Sequence, residues 1–267
     1  MQKTRLDALL VERGLISGRD LAKSVIMAGE VFVNGRRSDK PGAPVSGDAE
    51  IEVRGGRKYV SRGGYKLERA LDHFAIDPSG LICLDCGAST GGFTDCLLQR
   101  GAALVYAVDV GYGQLAWSLR SDKRVDCRER VNARTLTPEM FPEVPNLAVV
   151  DVSFISLALI LPAVKGVLAP SGEAVCLIKP QFEAGREKVG KRGVIREPDT
   201  HAEVLRAFLK NAKNSGFKTA GITHSPIRGP EGNIEFLGYL KTSGEATLDI
   251  LSIVADAHAK LIKGDSL

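Results

Sequence analysis

The spacing of hydrophobic residues changes along the chain, and the change divides it in two. Leu6, Leu9 and Leu10 fall at helical spacing and stop at Gly14, so Thr4 to Arg13 reads as a helix. A second helix starts at Ser17, a residue suited to capping, and carries Leu21, Ala22, Val25, Ile26 and Met27 towards Gly29. Val31-Phe32-Val33 then alternates like a strand and enters Asn34-Gly35, a dipeptide that favours the tight turn of a hairpin. Lys40 to Val45, with two prolines, reads as a loop, and Ala49 to Val53 as a closing strand. Two short helices and a small sheet make a compact α+β unit over residues 1–56. The basic, glycine-rich stretch that follows is a linker over residues 57–62, and residues 63–267 form the second domain.

In that second domain the pattern becomes a regular alternation. Lys66 to Phe74 is amphipathic through Leu67, Ala70, Leu71 and Phe74. Strand-like runs follow at Leu81 to Asp85, Leu104 to Asp109, Val125 to Arg128, Leu147 to Val152 and Glu173 to Lys179. Helical stretches near Gly92 to Arg100, Gln114 to Leu119 and Leu157 to Leu168 separate them. Such βαβ alternation calls for a mainly parallel sheet covered by helices on both faces. The helix from His201 to Ala212, then Thr219 to Ser225 and Glu235 to Lys241, complete a seven-stranded α/β domain.

Composition narrows the function classes. At 44% hydrophobic residues the chain is an ordinary globular one, and no run approaches the roughly 20 apolar residues that cross a bilayer. The richest stretch, Phe154 to Leu168, is broken by Pro162 and Lys165. The start lacks the apolar run of a signal peptide, so a cytoplasmic location and no membrane partner are expected. The five cysteines include a C-x-x-C at Cys83 and Cys86 without a second pair or a histidine beside it, and His73, His201, His224 and His258 are scattered. No metal is expected. The net charge of +4 is uneven: residues 1–66 carry 13 Lys and Arg against 8 Asp and Glu. Basic charge gathered in a small attached module suits a polyanion.

Leu81 to Thr94 (LICLDCGASTGGFT) runs from a strand into a glycine-rich turn that opens a helix. Glycines there let the backbone approach a ligand at the carboxyl end of the strand. Asp109 ends the next strand, 24 residues after Asp85, where an acidic side chain accepts hydrogen bonds from a ribose diol. A nicotinamide dinucleotide would bring its pyrophosphate to such a loop, but Asp85 precedes the first glycine and repels it. The same carboxylate suits the cationic ammonium and sulfonium of S-adenosylmethionine. The reading is therefore a Rossmann-like methyltransferase domain. Its candidate cofactor contacts are Asp85, Gly87, Ala88, Ser89, Gly91, Gly92, Phe93, Asp109 and Asp151, with Asn132 at a point where this fold often meets adenine. Phe93, Tyr112 and Trp117 are candidates to flank cofactor or RNA, with core packing the expected role of Trp117.

Two resemblances extend this reading. RLDALLVERGL, SGRDLAKSVIMAGEVFVNGR and IEV resemble the RNA-binding domain of small-subunit ribosomal protein four, which implies RNA contacts at Arg5, Arg19, Lys23, Arg36 and Arg37. Lys66, Asp151, Lys179 and Glu235 resemble the Lys-Asp-Lys-Glu tetrad of FtsJ-type 2'-O-ribose methyltransferases. The runs SRGGYKLERAL, LDCGASTGGFTD, DVGYGQLAWSLR, DVSFISL, IKPQFEAG and GPEGNIEF look like the TlyA family, also called hemolysin A, across essentially the whole chain. The resemblance implies methylation of cytidine in ribosomal RNA of 16S and 23S type within ribosomal subunits. It assigns those four residues to catalysis, Lys179 as the group that removes the ribose proton or stabilises the oxyanion, with Lys66 close by. Tyr59 stands where some members carry Trp, and a docked Arg57-Lys58-Tyr59-Val60 segment would couple RNA engagement to cofactor binding. The alternatives are a ribosome-binding protein without activity and a haemolysin. The complete tetrad speaks against the first, the lack of a spanning or long amphipathic segment against the second.

Overall fold

The computed structural model describes residues 3–16, 18–27, 29–53, 58–190, 193–229 and 231–262, the side chains of Arg186 and Ile262 excepted. The cap expected at Ser17 and linker residues 54–57 lie outside them. Contacts divide the chain into units of Met1–Lys58 and Tyr59–Leu267. Residues 59–62, read from the sequence as linker, therefore pack with the second unit.

In the first unit β1 (Lys3–Arg5) leads into α1 (Leu6–Glu12), followed by α2 (Arg19–Met27), β2 (Val31–Val33), β3 (Arg36–Ser38), β4 (Pro44–Ser46) and β5 (Ile51–Val53). Asn34 and Gly35 both take positive φ, +50° and +75°, so β2 turns tightly into β3. β2 also pairs with β5, and β1 pairs with β4. The expected loop at Lys40 to Val45 thus ends in a strand, and the first residues of the expected helix form one. Three-residue strands are too short for an alternating pattern to reveal. Leu6, Leu10, Ala22, Ile26 and Val31 are fully buried at the centre of this unit.

The second unit opens with α3 (Gly63–Phe74), then β6 (Ile82–Cys86), α4 (Gly92–Gln99), β7 (Leu104–Asp109), α5 (Trp117–Arg120), β8 (Val125–Glu129) and β9 (Leu147–Val150). It continues through α6 (Leu161–Val167), β10 (Glu173–Ile178), α7 (Pro180–Glu183), α8 (Pro198–Asn214), β11 (Lys218–His224), β12 (Phe236–Lys241) and α9 (Ile250–Ile262). The seven strands lie in the order β11-β12-β10-β9-β6-β7-β8, parallel except for β12, which is antiparallel to both neighbours. β9 is buried at all four positions because both faces of the sheet are covered. Leu84, Cys86, Ala148 and Val150 point into one layer of core, Cys83, Leu147 and Val149 into the other. Each fully buried aliphatic side chain there contributes about 1.5–3 kcal/mol. The alternation also disposes of the C-x-x-C: Cys83 and Cys86 face opposite layers, and burial pushes the Cys83 thiol up to about 12.

From β6 the chain moves outward to β7 and β8, then crosses back to place β9 on the other side of β6. That reversal opens a crevice at the carboxyl ends of β6 and β9, where this type of sheet receives ligands.

Candidate active site

The crevice is shaped first by backbone. Asp151 N–H donates to Cys86 O at 2.9 Å, and Gly87 N–H and Ala88 N–H both donate to Val108 O, at 2.8 and 3.1 Å. Gly87 has φ +87°, and a Cβ there would stand 2.5 Å from the Asp151 carbonyl oxygen, so no larger residue fits. Ser89 takes a positive φ of +50° without being glycine. Its N–H donates to Asp109 Oδ2 at 2.8 Å, while Asp109 Oδ1 accepts from Gly111 N–H at 2.6 Å. Asp109 thus braces the loop from the end of β7.

Asp85 lies beneath the loop, fully buried, and accepts a bond from Thr94 Oγ1 at 2.7 Å through Oδ2. Its Oδ1 has no hydrogen-bond partner. Burial pushes this carboxyl up to about 7, the Thr94 bond opposes the rise, and the nearby Asp151 and Asp109 add to it.

Two lysine–carboxylate pairs face this loop. Lys66, one turn into α3, donates to Glu235 Oε2 at 2.5 Å, and both side chains are more than nine-tenths buried. Glu235 sits immediately before β12; its Oε1 is unpartnered, and a Cβ on Gly229 would come within 2.5 Å of it. Burial raises the Glu235 carboxyl, and the Lys66 ammonium pulls it back. Lys179, just after β10, pairs with Asp151 Oδ1 at 2.6 Å and donates to Ser153 Oγ at 2.8 Å. Asp151 is the more open partner, its side chain 22% exposed.

Both lysines line one cleft of about 250 Å³, together with Asp151 and Gly87, Ala88, Ser89, Gly92 and Phe93. Of the expected site residues, Asp85, Gly91, Asp109, Asn132 and Glu235 stand outside its lining. Asp85 and Asp109 support the loop, and Glu235 backs Lys66. Gly91, at φ +97°, lets Leu115 and Leu119 pack against the turn. Asn132 is exposed and caps a short 3-10 turn by accepting Arg134 N–H at 3.0 Å.

The cleft also has walls that the sequence reading passed over. Ser61 and Arg62 come from the segment before α3, and Ile227 and Arg228 from the loop after β11. Arg62 Nη2 donates to the Arg228 carbonyl at 3.2 Å, and the Arg228 guanidinium reaches the Leu261 carbonyl near the end of α9. SRGGYKL and GPEGNIEF were the visible signals, but nothing local says that these two loops meet. Phe154, also unforeseen, is 90% exposed at φ +63°, its ring 5.0 Å from that of Phe182.

Three aromatic expectations can be set beside the structure. Phe93 is 3% exposed and borders the cleft, and Tyr112 is 70% exposed. Trp117, expected in the core, is instead 78% exposed, because Leu115 and Leu119 are the buried residues of that segment. Tyr59 is buried, edge-on to Tyr65 at 5.4 Å and packed on Gly64 at the start of α3. In the first unit Arg19 and Arg36 are exposed; Arg5 pairs with Asp7 at 2.8 Å, Lys23 with Asp20 at 3.0 Å, and the Arg37 guanidinium lies over Gly29. Among the described residues no group of three His, Cys, Asp or Glu could hold a metal ion, and no helix is long and apolar enough to cross a membrane.

Residues 59–242 match the family described as FtsJ-like methyltransferase, and residues 4–51 match the S4 domain. The YqxC protein of Bacillus subtilis is 49% identical over 97% of this chain and 96% of its own. The 16S/23S rRNA (cytidine-2'-O)-methyltransferase TlyA of Mycobacterium tuberculosis is 45% identical over 98% of this chain and 99% of its own. A solved structure of a hemolysin-named protein from Streptococcus thermophilus superposes with a TM-score of 0.77 at 47% identity, covering 98% of each chain.

Proposed function

The chain belongs to the FtsJ-like methyltransferase family and carries an S4 domain at its N-terminal end, and from that premise we propose that it methylates ribose 2'-hydroxyls of cytidine in ribosomal RNA. The substrates are the 16S and 23S RNAs of ribosomal subunits, gripped in part by the S4-like unit through Arg5, Arg19, Lys23, Arg36 and Arg37, and the place of work is the cytoplasm. The observation that carries this reading is the convergence of Lys66 and Lys179, each paired with a carboxylate, on one cleft beside the glycine loop.

The cleft fits S-adenosylmethionine as methyl donor. The Asp151 carboxylate in the cleft wall and the side-chain-free surface of Gly87 offer a cation negative charge and close backbone approach, and Asp85, with an unpartnered Oδ1, supports the loop from beneath. Gly87, Ala88, Ser89, Gly91, Gly92, Phe93 and Asp151 would hold it, Asp109 would take the ribose diol, and Asn132 has an amide free to face the base. The donor supplies an electrophilic methyl group. Lys179 Nζ donates to Ser153 Oγ and forms an ion pair with Asp151, which holds the amine in the cleft wall where a ribose hydroxyl would meet it. As the neutral amine, its ammonium proton first released to solvent, Lys179 would take the 2'-proton while the oxygen bonds to the methyl carbon and the carbon–sulfur bond of the donor breaks, and would then pass that proton to solvent. Lys66, fixed by Glu235, stabilises the negative charge that develops on the oxygen. Phe182, whose ring neighbours that of Phe154, lies with its centroid 6.0 Å from the Lys179 amine.

The test is to treat unmodified ribosomal subunits with the purified protein and a tritiated methyl donor, then map the label by nuclease digestion. Label on a cytidine 2'-oxygen is the expected result. Label on a base, or none on either subunit, would overturn it.

A further inference from the structure

We propose that Tyr112, Trp117 and Arg130 form a nucleobase-stacking surface for the RNA strand that flanks the methylated nucleotide. This rests on the functional reading above but uses residues outside the cleft lining. Trp117 is 78% and Tyr112 70% exposed, a large apolar area to leave in water without a partner.

The strip is held rigidly at the edge of the site. Ala116 N–H donates to Thr90 O at 3.2 Å, and Thr90 is part of the cleft wall. On the inner side Leu115 and Leu119 are buried against Gly91 of the same loop, which forces Trp117 outward. Glu129 joins the other end: it accepts from Gly113 N–H at 2.7 Å and pairs with Arg120, three residues after Trp117. Arg130 follows β8 at φ +58°, exposed, with its guanidinium 4.4 Å from the centroid of the Tyr112 ring.

Charge decides the occupant. Among the described residues no carboxylate pairs with Arg130, so a cation sits over the Tyr112 ring, and a second exposed ring, Trp117, follows five residues along the same segment. An apolar protein surface would strand that guanidinium, whereas single-stranded RNA brings a phosphate for it and a base for each ring. A splayed nucleotide next to the cleft meets the strip first.

The experiment compares the full-length parent with Trp117→Ala, Trp117→Phe and Arg130→Gln, using unmodified ribosomal subunits and S-adenosylhomocysteine as probes. Loss of one base stack is worth about 1–3 kcal/mol, so Trp117→Ala should raise the KM for subunits by about tenfold. Its kcat and its calorimetric affinity for S-adenosylhomocysteine should match the parent's. Trp117→Phe should recover most of the KM, and Arg130→Gln should raise KM while lowering the salt slope of binding by about one ion. An unchanged subunit KM in Trp117→Ala, with the parent active, sinks the surface alone. A parallel loss of S-adenosylhomocysteine affinity would instead make the strip part of the donor site. A parent that transfers no methyl to either subunit sinks the functional reading and this surface together.

Discussion

The two lysine–carboxylate pairs of the cleft use the same chemical groups and differ in their surroundings. Lys66 and Glu235 are sealed, with side-chain exposures of 9% and 1%, and they join α3 to the start of β12 across 169 residues of chain. Lys179 and Asp151 end the adjacent strands β10 and β9, and Asp151 keeps 22% of its side chain open. A sealed pair cannot be broken without stranding a charge, whereas an open one can be relieved by water. On the proposed function both lysines meet the reacting oxygen, and the contrast predicts that only the first pair also holds the wall in place.

The strongest way to break that division is to remove Lys179. Lys179→Ala should lower the methyl-transfer rate by about 10²–10⁴-fold, the usual contribution of a positioned proton acceptor. Its urea midpoint and its affinity for S-adenosylhomocysteine should stay close to the parent's. A large loss of stability would make this pair structural as well. Removing Glu235 should add a loss that Lys179→Ala lacks: Glu235→Ala leaves the Lys66 ammonium buried alone and costs about 3–5 kcal/mol of folding stability. Calorimetric or chemical unfolding would measure it, and a variant as stable as the parent would erase the distinction.

Asp85 gives a smaller and sharper test, because it is as buried as Glu235 but has no lysine beside it. Its folded pKa is raised to about 7, against about 3.9 in the unfolded chain. The folded protein therefore holds the proton that the unfolded chain releases, and stability falls as pH rises from about 4 to about 7. Asp85→Asn removes this slope. Relative to the parent, its urea midpoint should rise between about pH 4 and pH 7; a constant difference would show that Asp85 does not titrate in that range.

How much of this was legible depended on whether the signal was local. β7 could be read to the residue, since Leu104 to Val108 is apolar and Asp109 ends it. The glycine loop was equally plain as a strand-to-helix turn, although the close approaches that require Gly87 and Gly91, to Asp151 and to Leu115 and Leu119, come from distant segments. Failures came where a residue's role is set by what packs on it. Trp117 has helical neighbours, and no pattern says whether Trp117 or Leu119 faces the core. α9 was missed although Ile250, Val254, Ala257 and Leu261 follow helical spacing and are buried, since Ser, Ala, Asp and His between them dilute the signal. The meeting of Arg62 with Arg228 depends on the sheet order, which no segment announces.

That order places β12 between β10 and β11, so the strand next to Glu235 is inserted from near the end of the chain. Lys66 therefore waits for a partner 169 residues further along, and synthesis has to pass β12 before the wall that this pair holds can close, since domains fold as units.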